Sequence, residues 1–470
     1  MPPISEWGCF YEKQPLNKNM VINYMYKKII IIIFLFTNYY SQVKIVGYYP
    51  YWYKSSAYTF EKISYENLTH IIHAFAWPKA DGTIEYPKDF LYPELIKAAH
   101  NNGLKILIGL GGWGNDKGFA PVASNEDIRK LFISNLVKFI KDNEYDGVDF
   151  DWEFPKNISE GVLHTILVKE IRDSLNRIDS NYIISMAASP GSYYGQNFEY
   201  EKMVPYLDWV AMMGYDFHGS WSSHAGHNAP LYQHPNDNDG AVDNGVSYLL
   251  SRKINKEKLL VGVPFYGKEF NAKGLYATKT GSVIDLVYSD IAAYLKSSNW
   301  IYNWDDISKV PYLINFDQTK FITFDDTVSI RIKCDYIKTN NLGGIMIWAL
   351  GQDYMNNEQP LLLTIGKSFG RYTNIEIEKP IVESNYKLYD NYPNPFNPST
   401  RIRFFIPKTS KVILSVYDIL GQLVSTLIDE ELPQGNYEVV FDGSKLSSGM
   451  YFYNLTSENF SQTKKMVLIK

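Results

Sequence analysis

The chain has 470 residues, 45% hydrophobic and 21% charged, which excludes disorder, collagen and coiled coil and leaves an ordinary globular protein with a sizeable core. At about 150 residues per domain the length points to about three folding units, or to one large catalytic domain plus a small module, since an α/β barrel alone absorbs about 250 residues. Lys+Arg 46 against Asp+Glu 51 gives a net charge of -5, so no basic field is available to hold a phosphate backbone and no nucleic-acid partner is expected.

The first element is a leader. Lys27 and Lys28 precede the apolar run 29–36, and polar residues 37–42 follow, which is the order of a secretory signal. The run is far short of the about 20 residues that span a bilayer as a helix. Residues 1–42 are therefore read as a leader with a signal peptide, and the mature chain is expected to start near Gln42. Residues 1–19 are polar, unusual ahead of a signal, which makes Met20 or Met25 candidate initiators.

From 43 to 370, apolar β-rich runs alternate with helical patterns, the texture of a parallel sheet covered by helices. The predicted strands are 44–49, 68–77, 105–109, 147–154, 182–189, 209–215, 259–265 and 344–350. Eight such units predict an α/β fold, a (β/α)8 TIM barrel whose active site lies at the C-terminal ends of its strands. One connecting helix is legible, with Ser124 and Asp127 as a capping pair and Ile128, Leu131, Phe132, Leu136, Phe139 and Ile140 on one face. The stretch of about 268–321 is too long for an ordinary connection and is read as a small α+β insertion after the seventh strand, walling one side of a cleft.

Residues 371–389 read as a linker to a C-terminal domain, 390–470. Its opening, 391–400, is too proline-rich for regular structure, and short β-rich runs follow at 401–406, 412–417, 437–441, 450–455 and 465–469. A β-sandwich of about 80 residues is predicted. The strings YPNPFNPST, GQLV, SSGMYFY and the closing KKMVLIK resemble the C-terminal sorting domain of type IX secretion cargo. That resemblance implies export across the outer membrane of a Gram-negative bacterium, to the medium or the cell surface, with the type IX secretion machinery as partner. The residues alone also fit a fibronectin-like or carbohydrate-binding sandwich.

The chemistry is concentrated in the fourth barrel strand, DGVDFDWEF at 146–154. Alternation separates Val148, Phe150, Trp152 and Phe154 from Asp149, Asp151 and Glu153. A row of like charges, built partly from a poor β residue, carries a cost that a structural role does not explain. A solvated face would account for it in an antiparallel sheet. In a barrel the apolar face meets the helices and the acids point inward. Crowded carboxylates share protons, which raises the apparent pKa of the group to where a general acid works.

DGVDFDWE at Asp146, Asp149, Asp151 and Glu153 matches the DxxDxDxE signature of glycoside hydrolase family 18, the chitinase family. The resemblance extends to LIGLGGW (107–113), MMGYD (212–216), VGVPFYGK (261–268) and GGIMIWALGQD (343–353), covering nearly all of 43–370. It implies that Glu153 protonates the glycosidic oxygen, that Asp151 turns between Asp149 and the substrate acetamide, that Tyr215 positions that acetamide, and that Trp348 floors the sugar at the cleavage point. Tyr48, Phe75, Trp113, Met213, Asp216 and Tyr266 match cleft positions, while Asp146, Gly111 and Gly112 belong to the motifs as structural residues. The implied reaction is substrate-assisted hydrolysis of chitin or N-acetylglucosamine oligosaccharides, with no cofactor and no metal. The 16% aromatic content could floor a sugar cleft, or reflect drift in a chain also rich in Ile, Asn and Lys. Two positions depart from the family: Gly109 stands where Ser is usual, and Lys268 where Arg is usual.

Other signals are weaker. GLGGWG at 109–114 satisfies G-x-G-x-x-G, but no helix is predicted to follow, so a dinucleotide loop is not expected; glycines there clear room beside the acids. His218, His224, His227 and His234 match no zinc spacing and are read as a polar loop lining the cleft. Cys9 and Cys334, the two cysteines, are too few for a disulfide framework. Trp300 and Trp304 either touch sugar or fill the insert's own core. Two rivals remain at this level: an endo-β-N-acetylglucosaminidase on glycoproteins or peptidoglycan, which the insert disfavours, and a non-catalytic chitin-binding lectin, which commonly lacks the terminal acid present here as Glu153.

Overall fold

The computed structural model describes residues 43–371, 386–391, 393–432, 435–458 and 460–469. The predicted leader, Cys9 and most of the predicted linker lie outside them. The chain divides into two units between Tyr372 and Thr373.

In the first unit eight strands form a closed parallel barrel: β1 (Lys44–Pro50), β2 (His70–Pro78), β3 (Lys105–Gly111), β4 (Gly147–Asp151), β5 (Ile183–Ala188), β6 (Trp209–Met212), β7 (Leu259–Pro264) and, after an insertion, β13 (Gly344–Trp348). They pair in that order, and β13 pairs with β1 to close the ring. Residues pointing outward pack under helices. Phe150 and Trp152 meet Phe119 and buried His164, the Phe119 and Trp152 rings stacked at 5.1 Å. The fourth strand stops at Asp151, three residues short of the predicted end. Glu153 thus stands on the loop just beyond the sheet, where a barrel carries its chemistry.

Helix α1 (Pro93–Asn101) lies between β2 and β3, and α2 (Glu126–Asp142) between β3 and β4. The predicted cap of α2 needs correction. Asn125, not Ser124, accepts hydrogen bonds from the Asp127 and Ile128 amides, while Ser124 ends the preceding short helix and bonds the Pro121 carbonyl. Asparagine is as good a cap as serine, and the chain uses the one whose side chain is free. Phe132, Leu136 and Ile140 are buried, but Leu131 is 48% exposed and Ile133 replaces it on the inner face.

The insertion is a five-stranded antiparallel sheet, β8 (Tyr266–Asn271), β9 (Thr280–Val287), β10 (Trp300–Asp305), β11 (Val310–Asn315) and β12 (Phe321–Thr323), in the order β9-β8-β12-β11-β10, with a short helix Tyr288–Tyr294. Phe270 and Phe321 anchor its small core. Trp300 packs on Tyr294 at 5.2 Å. Helix α3 (Thr327–Thr339) follows, and on it Lys333 is wholly buried, with its ammonium 2.6 Å from Asp325 and donating to the Ala229 carbonyl.

The second unit is a sandwich of a three-stranded sheet (Lys387–Leu388, Ser399–Ile406, Gly435–Asp442) and a four-stranded one (Leu423–Leu432, Ser410–Tyr417, Gly449–Ser457, Phe460–Leu468). Phe404, Leu414, Val416, Tyr453 and Met466 fill its core. Strand Leu423–Leu432 was not predicted. It is an edge strand, half-buried at most, and its acidic end lacks apolar alternation. Among the described residues no helix is long and apolar enough to cross a membrane.

Candidate active site

The acids of β4 are positioned by register. β4 and β5 pair so that Asp149 faces Ser185, and β3 and β4 pair so that Gly111 faces Asp151. Ser185 donates to Asp149 Oδ1 at 2.5 Å, and Tyr48 of β1 donates from across the barrel to Oδ2 at 2.7 Å. Gly111 adopts φ +111°, and a Cβ there would lie 2.2 Å from the Asp151 carbonyl oxygen. Only glycine allows the two strands to meet at that level. Gly112 (φ +83°) donates its amide to the same carbonyl, and a Cβ on it would strike the Phe75 ring.

Burial raises Asp149 to about 6, against the lowering effect of the Ser185 and Tyr48 hydrogen bonds. Asp151 is raised well above the carboxylate range, by burial first and then by the charges of Glu153 and Asp149. One of its oxygens, Oδ1, is buried with no hydrogen-bond partner among the described residues. Such a group is either protonated or awaits a ligand. Glu153 is raised to about 7, again by burial first, then by Asp216 and Asp116. A row of carboxyls rising from the sheet thus ends in one raised to about 7.

That last carboxyl opens on a cavity of about 750 Å³ at the C-terminal ends of β3 to β6. Trp113, Met213, Tyr215 and Asp216 line it. Trp113 is 74% exposed, a flat apolar surface in water of the kind on which a sugar ring stacks. The Tyr215 hydroxyl makes one long contact, 3.9 Å to Met346 Sδ. Tyr266 donates to Asp216 Oδ1 at 2.5 Å, and buried Lys268 reaches the same oxygen at 2.9 Å and Asp285 at 2.7 Å. The lysine that departs from the family pattern is thus held between two carboxylates, with its ammonium over the Trp221 and Tyr266 rings.

Tyr48, Phe75 and Trp348 form an aromatic group inside the barrel mouth, the Trp348 ring 5.5 Å from Tyr48 and stacked on Phe75 at 5.7 Å. Trp348 is the partly exposed member. Asp146 sits at the opposite end of β4. It receives hydrogen bonds from Lys105, His100 and the Ile106 amide and so ties two strand starts together away from the cavity.

Sequence reasoning missed several lining residues. Phe154, assigned to the outer apolar face, instead lines the cavity and stacks on Tyr194 at 4.3 Å, because the strand has ended before it. Tyr193, Trp221 and Tyr248 also line it. The pair Tyr193-Tyr194, just past the C-terminal end of β5, was findable by the rule that barrel sites sit there. Ser185 was findable only from register. The histidines do not line the cavity as expected: His218 and His227 are fully buried, His227 against Asp305 at 3.0 Å, and His234 packs on Tyr276.

Comparison with known proteins gives the same frame. Residues 44–353 match the model of glycosyl hydrolases family 18, and 390–470 match that of the secretion system C-terminal sorting domain. The chain is 30% identical over 319 residues to chitinase A1 of Niallia circulans, 61% of this chain and 46% of that protein. It therefore spans about half the length of that relative. Among solved structures it resembles the Group IV chitinase of Ostrinia furnacalis (25% identity, TM-score 0.66, 70% of this chain and 100% of the other). It also resembles a family 18 N-acetylglucosaminidase from Paenibacillus barengoltzii (30% identity, TM-score 0.63, 69% and 99%). With its barrel, its acidic strand and two thirds of its length matched, the chain belongs to glycosyl hydrolases family 18.

Proposed function

We propose that the chain is a secreted chitinase, cutting β-1,4 bonds between N-acetylglucosamine units with the sugar's own acetamide as nucleophile. The observation that carries this reading is the buried row Asp149, Asp151, Glu153, ending in a raised carboxyl on the cavity. Protonated Glu153 donates to the glycosidic oxygen as the C1–O bond breaks, and the acetamide carbonyl oxygen bonds to C1. The resulting oxazolinium cation is stabilised by Asp151, whose unpartnered oxygen is free to meet the acetamide N–H, while Tyr215 holds the acetamide oxygen. Glu153, now ionised, takes a proton from the water that attacks C1 as the acetamide oxygen–C1 bond breaks and restores the N-acetyl group, and the β configuration is retained. Chitin oligosaccharides and an N-glycosylated protein, assayed side by side, test the reading. Chito-oligosaccharide products with the glycoprotein untouched are expected; release of the protein's glycan with chitin intact would replace the chitinase by an endo-β-N-acetylglucosaminidase.

A pH profile tests the acid. Glu153 donates only while protonated, so kcat/KM should fall on the alkaline side around its raised pKa of about 7. After burial, the Asp216 charge is the largest contributor to that shift. Asp216→Asn removes a negative charge, lowers the Glu153 pKa, and should move the alkaline limb to lower pH. An unmoved limb would assign it to another group.

We further propose that residues 390–470 are an export address for the type IX machinery rather than a sugar-binding surface. A chain truncated after Arg371 should keep full activity on soluble oligosaccharides, bind insoluble chitin no worse, and accumulate in the periplasm of its host. Continued secretion with weakened chitin binding would make the domain a binding module instead.

A further inference from the structure

The loop that leaves β6 and returns to the helix Val242–Ser251 folds back on itself and brings together four side chains from its two limbs. His218 Nε2 lies 3.2 Å from His224 Nε2, 3.3 Å from Asp237 Oδ1 and 3.1 Å from Asp239 Oδ2. His224 Nε2 lies 3.8 and 4.0 Å from the same two oxygens. All four candidate donor atoms fall within 4.8 Å of one another. His218 is fully buried and Asp237 nearly so.

We propose that His218, His224, Asp237 and Asp239 form a tetrahedral site for a divalent zinc-type cation. Three observations carry the assignment. The first is spacing. Zinc bonds of about 2.0–2.2 Å place tetrahedral ligands about 3.3–3.6 Å apart, which the measured separations bracket. The second is polarity. The His218 Nδ1 lies 3.0 Å from the His227 carbonyl, so Nδ1 donates there and the ring turns Nε2 toward the cluster. Nε2 faces two carboxylate oxygens and a second imidazole nitrogen, a set of groups that a cation bonds in place of a proton on Nε2. A carbonyl holding the outer nitrogen is also how a metal-bound histidine is oriented. The third is chemical fit: two neutral imidazoles and two carboxylates give borderline N and O donors, suited to zinc, and balance its charge. Asp237 is itself braced, since its Oδ1 accepts from the Asp239 amide and its own amide bonds the His234 carbonyl.

The sequence concealed this site because two ligands are carboxylates and the spacing, the histidines six positions apart and the aspartates two, follows no zinc signature. Its place gives it a role. The loop between its two ends carries Asp216 and Trp221 on one limb and Asp239, Gly240 and Ala241 on the other, all of which line the cavity. A cation at the waist of the loop clips together the cavity wall that holds them.

The test uses the full chain, untagged with histidine and purified from zinc-supplemented medium without chelators. Elemental analysis should find about one zinc per chain. Removal with dipicolinate should lower Tm by several degrees, and one equivalent of zinc, but not calcium, should restore it. His224→Val removes the partly exposed ligand, the change the fold tolerates best. It should abolish stoichiometric zinc and the response to chelator, while His234→Ala, a neighbour outside the cluster, should retain both. Substoichiometric zinc in the unaltered chain with a Tm indifferent to chelator, or a His224→Val chain that holds zinc as the original does, overturns the proposal.

Discussion

Glu153→Gln is expected to lower kcat on chitin oligosaccharides by about 10²–10⁴ or more while leaving their affinity within a few-fold of the original. The amide keeps the shape of the carboxyl and cannot transfer a proton. Burial and neighbouring charge raise Glu153 to about 7, which keeps the donor form populated near neutral pH, so on the proposed function the substitution removes chemistry rather than occupancy. Gln fills the same space without an ionisable group, so the fold should not suffer. Single-turnover kinetics with binding measured separately would check this. A variant that hydrolyses at the original rate would show that the proton comes from elsewhere.

Fully deacetylated chitosan is expected to show no hydrolysis, the larger of the two effects. A free amine has no carbonyl oxygen to reach C1. A well-oriented internal nucleophile is worth about 7–11 kcal/mol of barrier relative to one recruited from solution. Binding along Trp113 and its neighbours should persist, so chitosan should act as a weak competitor. An NMR time course on chitin oligosaccharides should show the β anomer first. Cleaved chitosan, or the α anomer first, would refute the substrate-assisted route.

The barrel was legible because each strand is an unbroken apolar run between helical patterns, and the acids because three carboxyls on one face of such a run have no structural reason to be there. What escaped notice depended on where elements stop and what they meet. Phe154 continues the apolar alternation in sequence, but the strand ends at Asp151, and the residue turns to the cavity. Asn125 and Ser124 are equivalent caps on paper; the hydrogen bonds choose one. Ser185 is an unremarked polar residue until register sets it opposite Asp149. The histidine cluster needed Asp237 and Asp239, which only the fold of the loop supplies.

Asp149 and Asp151 sit on a strand whose register fixes them, and Glu153 follows two residues past its end, whereas Trp113, Tyr193, Tyr194 and Trp221 stand on longer loops beyond the strand ends. On the proposed function, reaction and grip therefore fall on different parts of the chain. Variation at the four loop aromatics is expected to change which length of glycan is held while leaving the proposed proton donor in place. The reverse does not hold: a one-residue insertion in β4 ahead of Asp149 would turn Asp149 and Asp151 outward under the helices.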